Sequence, residues 1–397
     1  MRIIRKAPFS KILISVFLFW AVIVVITTQG ALAVPQNINY AGFAFLGDYS
    51  QREKLYRYSS RIQAIKVGKR PALEVALQGA LKHHFRNENI NLSFGLGDRK
   101  NASMALAFAV SNESVRYQGL NNGFNAIFLI FAQILVFDFD ESKVIANFPV
   151  AILHNEVVKR KLGDAATLGI FKKLYLDLNS ESNIFRRWVA RLNTINPKAS
   201  YGNYCKLTNL EVNPKILNDP INKISDARAF QLQSAQFFES VLSTHQNIPM
   251  VPYTKGEAIG KKMPARFANG TSVQFQLPES DYNVTINIRP FKTVKKESKN
   301  IRRYIFASFA SFKVEQPDTG NVVFDGVFRN IPIVTVDKSR NIVLDQWYER
   351  QKSLRTLFAD FSRQISKRDG VWLKNATRTE NVLAGLADLE KGLASCR

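Results

Sequence analysis

The stretch AIFLIFAQILVFDFD, Ala126 to Asp140, is apolar nearly throughout, bounded by Gly123 before it and by the acidic turn Asp138 to Glu141 after it. It is too short to cross a bilayer as a helix, which takes roughly 20 apolar residues. A central strand covered on both faces explains such a run, with Lys143 to Ile152 returning after the turn as its antiparallel partner. Upstream, Ile90 to Leu96 and Met104 to Val110 alternate as strands do, and Tyr40 to Leu46 (YAGFAFL) has the aromatic content of a buried strand ended by Gly47-Asp48. Between them Pro71 to Phe85 predicts a helix, with proline in its first turn and an apolar stripe through Leu73, Leu77, Ala80, Leu81 and His84.

A second stretch repeats this layout. A shift of 178 residues lays Phe131-Ala132, Val136, Asp140 and Val144 over Phe309-Ala310, Val314, Asp318 and Val322, and lays Met104–Val110 over Tyr282–Ile288. The predicted fold class is α+β, with two related units, each of antiparallel β-hairpins packed on helices, followed by C-terminal helices. The units are placed at 37–160 and 230–340, with a helical and loop connector at 161–229 and a helical segment at 341–397. In the connector, Phe171 to Leu178 and Asn183 to Leu192 read as short amphipathic helices, and Asn213-Pro214 and Asp219-Pro220 as loop. Gln231 to His245 predicts a helix, as does Glu380 to Ala394. Asp345 is a plausible N-cap for a long helix with Trp347, Leu354, Leu357, Phe358, Phe361 and Ile365 on one side, and Arg350, Lys352, Arg355 and Arg363 mostly elsewhere.

Residues 1–33 read as a secretory signal. Arg2, Arg5, Lys6 and Lys11 lead into an apolar run from Ile12, and Ala31-Leu32-Ala33 supplies the small residues of a cleavage site. Cleavage after Ala33 gives a periplasmic or secreted protein; the alternative is an anchor in the inner membrane through residues 12–28. Export sets aside nucleic acid as a partner and cytosolic nucleotide chemistry as a function. The composition, 46% hydrophobic and 11% aromatic, is that of a folding chain. Its formal net charge of +23 favours anionic partners: lipid headgroups, cell-surface polysaccharide, or acidic faces of envelope proteins.

The densest basic cluster supplies the candidate binding residues Lys295, Lys296, Arg302 and Arg303, a stretch that also reads as a solvated loop between strands. Cys205 and Cys396, the two cysteines, form a candidate disulfide in an oxidising compartment, tying the tail to the middle of the chain; two free thiols are the other reading. No catalytic residue, metal ligand or cofactor is assigned. A Gly-x-Ser-x-Gly elbow is absent, and His83-His84 are adjacent, not one helical turn apart as a chelating pair would be. Gly256 to Lys262 lacks the spacing and the hydroxyl residue of a phosphate loop. Asp138 and Asp140 share a strand face at a hairpin end, where such acids usually solvate the turn.

The order of opening strand (Tyr40 to Leu46), helix (Pro71 to Phe85), strand and long hairpin resembles a domain of exported envelope proteins such as the curli secretion-channel lipoproteins and the amino-terminal domain of the Tol-system propeller protein. FKVEQPDTGNVVF, Phe312 to Phe324, is similar to the last two strands of that domain. The resemblance implies a fold; the lipid-bearing cysteine of the channel family is missing. The expected function is a non-enzymatic envelope protein that binds another envelope component, the alternative being an exported hydrolase with a carboxylate site.

Overall fold

The computed structural model describes residues 35–94, 103–222, 224–254, 261–340 and 344–397. The export stretch 1–33 and its alternative anchor 12–28 lie outside the described residues, as do residues 255–260 of the Gly256 loop. No helix among the described residues is long and apolar enough to cross a membrane.

The chain opens with β1 (Gln36–Leu46), the short helices α1 (Arg52–Leu55) and α2 (Arg57–Ile62), the two-residue strands β2 (Lys66–Val67) and β3 (Arg70–Pro71), and α3 (Ala72–His84). β4 (Ile90–Ser93) precedes three long strands, β5 (Met104–Leu120), β6 (Gly123–Asp138) and β7 (Lys143–Val158), then α4 (Asp164–Leu176) and α5 (Ile184–Leu192). Next come β8 (Cys205–Val212), α6 (Pro214–Leu217), α7 (Ala227–Gln246), β9 (Met250–Val251), β10 (Lys262–Phe267) and β11 (Ser272–Gln276). The strands end with β12 (Tyr282–Glu297), β13 (Ile301–Glu315), β14 (Val322–Asn330) and β15 (Ile333–Asp337), before α8 (Gln346–Lys367), α9 (Gly370–Ala376) and α10 (Val382–Ala394). The fold is mixed α+β.

The first sheet runs β10-β11-β7-β6-β5-β1-β4, and β10 also pairs with β1, so the sheet curls back on itself. Alternation in β5 shows why it can. Ala105, Ala107 and Ala109 point into the curl, where only small side chains fit beside Phe137, Phe267 and Phe275. Leu106, Phe108 and Val110 point outward onto the core under α3, α4 and α5. A bulge in β1 between Tyr40 and Gly42 sharpens the bend. Gly42 sits at φ +102°, and a Cβ there would meet the Glu74 carboxylate, which accepts a hydrogen bond from Phe43 N.

β6 is buried from Ala126 to Phe137, as its uninterrupted apolar run predicts. Phe128, Ile130, Ala132, Ile134 and Val136 face the core under α4 and α5. On the opposite face Ile127, Leu129 and Phe131 meet Phe237 and Tyr348 from the C-terminal half, and Leu135 and Phe137 fill the curl. β7 returns antiparallel along the whole length of β6.

The second sheet runs β14-β13-β12-β8-β9, with β15 pairing β13. Its core face packs against α7, α8 and α10. In both sheets a strand leads through a helix to a parallel neighbour, followed by two antiparallel strands: β1, α3, β5, β6, β7 in one and β8, α7, β12, β13, β14 in the other. This partition differs from the expected boundaries in two places. β8 falls in the stretch read as connector yet belongs to the second sheet, and β10 and β11 fall within 230–340 yet pair with β1 and β7 of the first. Asn213 and Asp219, read as loop, flank the single turn α6, for which Asn213 is the N-cap.

Candidate binding surfaces

The four predicted basic residues lie in paired strands, not in a loop. β12 outruns its neighbour β8 after Ile288, and β12, β13 and β15 continue as a three-stranded arm. Lys295 stands opposite Tyr304, Lys296 opposite Arg303, and Glu297 opposite Arg302. Strand alternation then divides the four between two faces. On one face Glu297 pairs with three cations and offsets one of their charges, with Lys295 Nζ at 2.5 Å, Lys338 Nζ at 3.2 Å and Arg302 Nε at 3.9 Å. The Lys295 hydrogen bond, and then that from Lys338, hold the Glu297 carboxyl below its ordinary range.

The other face is different in kind. Lys296 and Arg303 are directly opposed and exposed, and neither makes an ion pair with a described residue. Directly opposed like charges destabilise a sheet. Beside them Val294 is opposite Ile305, which in turn pairs with Ile333; Val294 and Ile333 are 48% and 62% exposed. Lys292 completes the face, its Nζ lying over the Phe309 ring at 5.8 Å. The basic cluster was legible in sequence. The apolar residues between the cations were hidden by their spacing, because Ile333 arrives from a separate strand.

A second feature had no signal in the sequence. Where β5 and β6 pass the N-terminal ends of α7 and α8, a cleft of about 600 Å³ opens. Each helix end is capped by its own acid: Asp226 accepts from Ala229 N at 2.9 Å and Asp345 from Tyr348 N at 3.1 Å. The walls are aromatic, with Phe230 and Trp347 ring centroids 5.4 Å apart and Tyr117 and Phe124 6.2 Å apart. Lys161 Nζ lies over both Tyr117 and Phe124.

A small inner cavity of about 30 Å³ shares Arg116, Phe230, Gln233 and Gln351 with the cleft, and there Arg116 of β5 and Arg355 of α8 meet. Arg116 Nη2 donates to Gln233 Oε1, whose Nε2 donates to Asn112 Oδ1 at 3.3 Å. Arg355 makes no hydrogen bond or ion pair with a described residue. Burial, and then the charge of Arg355, brings Arg116 down to about 10; burial also lowers Arg355. Arg350, read as lying mostly off the apolar side of the same helix, is buried, bonded to Asp219 Oδ2 at 2.8 Å, Asn222 Oδ1 at 2.7 Å and Thr293 Oγ1 at 3.1 Å.

Cys205 and Cys396 are both buried in the core under the second sheet, and both thiols are free. Burial raises each, with the Cys396 charge a further cause at Cys205. Asp138 closes the hairpin turn, accepting from Asp140 N and Glu141 N at 2.9 Å each. Among the buried acids, Glu113 is fully engaged by Tyr58 N, Ser59 N and the Tyr175 hydroxyl. Glu349 is raised by burial and by Asp345, yet it does not line the cleft.

No protein-family model and no curated protein matches the chain. Among solved structures, a minor lipoprotein from Acinetobacter baumannii aligns at 13% identity and TM-score 0.21, over 45% of this chain and 97% of the other. A neuraminyllactose-binding hemagglutinin homologue from Helicobacter pylori aligns at 10% identity and TM-score 0.19, over 42% and 88%. Neither likeness is close enough to assign a fold or an activity.

Proposed function

We propose that this is an exported, non-enzymatic binding protein of the cell envelope that docks on an anionic phospholipid surface through the outer face of the β12–β13–β15 arm. The observation that carries the reading is the opposed pair Lys296 and Arg303, neither ion-paired with a described residue, beside exposed Val294 and Ile333. Cations that repel one another across a sheet gain from a shared anion, and apolar neighbours gain from entering the headgroup boundary. The export stretch 1–33 supports the compartment, and the net charge of +23 supports the sign of the surface.

Co-sedimentation of the full chain with vesicles tests this. Vesicles containing phosphatidylglycerol should retain the protein, neutral phosphatidylcholine vesicles should not, and added salt should release it. Each basic residue near an anionic surface is worth about 1 kcal/mol, so the double reversal Lys296→Glu, Arg303→Glu should weaken retention by more than tenfold. Lys295→Glu, on the opposite face and at a lysine already ion-paired to Glu297, should weaken it less. Equal retention by neutral and anionic vesicles, or no loss in the double reversal, removes the proposal.

A further inference from the structure

We propose that the cleft between β5, α7 and α8 is a binding site for a small organic anion, a carboxylate or phosphate monoester on an aromatic or apolar body, with Arg116 and Arg355 taking the charged head. This goes beyond the docking role of the arm and stands on different residues. Two half-buried arginines line the small cavity at the inner end of the cleft, and no carboxylate ion-pairs with either among the described residues. Removing like charges from water beside one another is unfavourable unless an opposite charge joins them. Arginine stays protonated at neutral pH even with the shift seen at Arg116, so neutralisation by proton loss is not open to it.

An anion between the two satisfies both, and the planar guanidinium fork matches the oxygens of a carboxylate or phosphate. Gln233 fixes the Arg116 fork in place, whereas Arg355 keeps its donors free for the ligand. The outer cleft suits the rest of such a molecule. Its volume of about 600 Å³ falls in the range of small-molecule sites, and Phe230, Trp347, Tyr117 and Phe124 offer ring surfaces for an apolar body. Asp226 and Asp345 at the helix ends disfavour a second negative group on that body, which selects against polyanions.

Calorimetric titration of the full chain with 1-naphthoate, 1-naphthyl phosphate and 1-naphthalenemethanol separates head from body. At least one of the two anions should bind tenfold or more tightly than the alcohol; the tighter anion identifies the head as carboxylate or phosphate. Arg355→Met should erase this preference, and Arg355→Lys should keep part of it. Because Arg355→Met removes an unpaired, half-buried charge, the free variant should melt at or above the wild-type temperature while losing the rise in Tm that the anion confers. A merely structural arginine gives the opposite, a lowered Tm with the anion preference intact. Equal binding of all three probes, no binding of either anion below about 5 mM, or an undiminished anion preference in Arg355→Met overturns the proposal.

Discussion

Glu239 of α7 is a carboxylic acid in an apolar place. It is 1% exposed and accepts a hydrogen bond from the Tyr253 backbone, and its Oε1 has no partner. Burial pushes its carboxyl well up; the Tyr253 bond and the Lys206 charge offset only part of this. In the unfolded chain the group loses its proton near the ordinary glutamate value, while the folded protein still holds it. The native state therefore binds more protons above that pH, and stability falls as pH rises through the window between the two values. Glu239→Gln, which keeps the shape without the charge, should raise Tm at pH 8 by more than at pH 4.5, measured by thermal melts across that range. An equal shift at both pH values contradicts the account. The stripe Leu232, Ala235, Phe238, Val241 and Leu242 makes α7 legible in sequence, and Glu239 falls on that same side, one turn after Ala235 and one turn before Leu242. Its place on the stripe accounts for the burial, while the backbone partner from Tyr253, just after β9, is what the pattern of α7 alone does not show.

At the scale of the element, α8 was the most readable part of the chain and still held two surprises. Asp345 caps it, and Leu354, Leu357, Phe358, Phe361 and Ile365 are buried as their spacing predicts. Phe361 lies flat on Phe312 of β13, with centroids 3.8 Å apart and planes 7° apart, and reaches Phe328 at 5.1 Å and Phe324 at 5.8 Å. Phe361→Ala should cost about 3–5 kcal/mol, from lost transfer energy and a cavity that these rings do not easily fill. Urea unfolding checks the value, and a loss under about 1 kcal/mol would show that the helix is not held by this stack. Arg350 and Arg355 defeat the same pattern because a periodicity distinguishes the core side of a helix from the rest, without showing what else covers the rest. Here the turn holding Asp219 and Asn222 covers Arg350, and strand β5 faces Arg355. The arm escaped for a related reason. KTVKKESKN, Lys292 to Asn300, has the composition of a loop, and only pairing with β13 shows most of it to be strand.

The whole molecule departs from two beads on a string because chain from the second half completes the first sheet. β10 and β11 pair with β1 and β7, and they place Phe275 inside the curl 4.7 Å from Phe137. α7 meanwhile lays Phe237 against Ile127, Leu129 and Phe131 of β6. The long hairpin strands were legible in sequence, since each is long and apolar enough to carry a pattern. KMPARF and SVQFQ were not, being short strands that pair with each other and whose other partners lie more than 100 residues earlier in the chain. Closure of the curl by these strands should make the two cores depend on one another, which unfolding can measure. Trp188 is fully buried in the first core and Trp372 packs against the second, so single-tryptophan variants report each separately. Both probes should give one shared denaturant midpoint, and Phe275→Ala should lower the two together by the equivalent of about 3 kcal/mol. Independent units predict instead that Trp188 responds to Phe275→Ala while Trp372 keeps its wild-type midpoint. That outcome would mean that β10 and β11 decorate the first sheet without coupling it to the second.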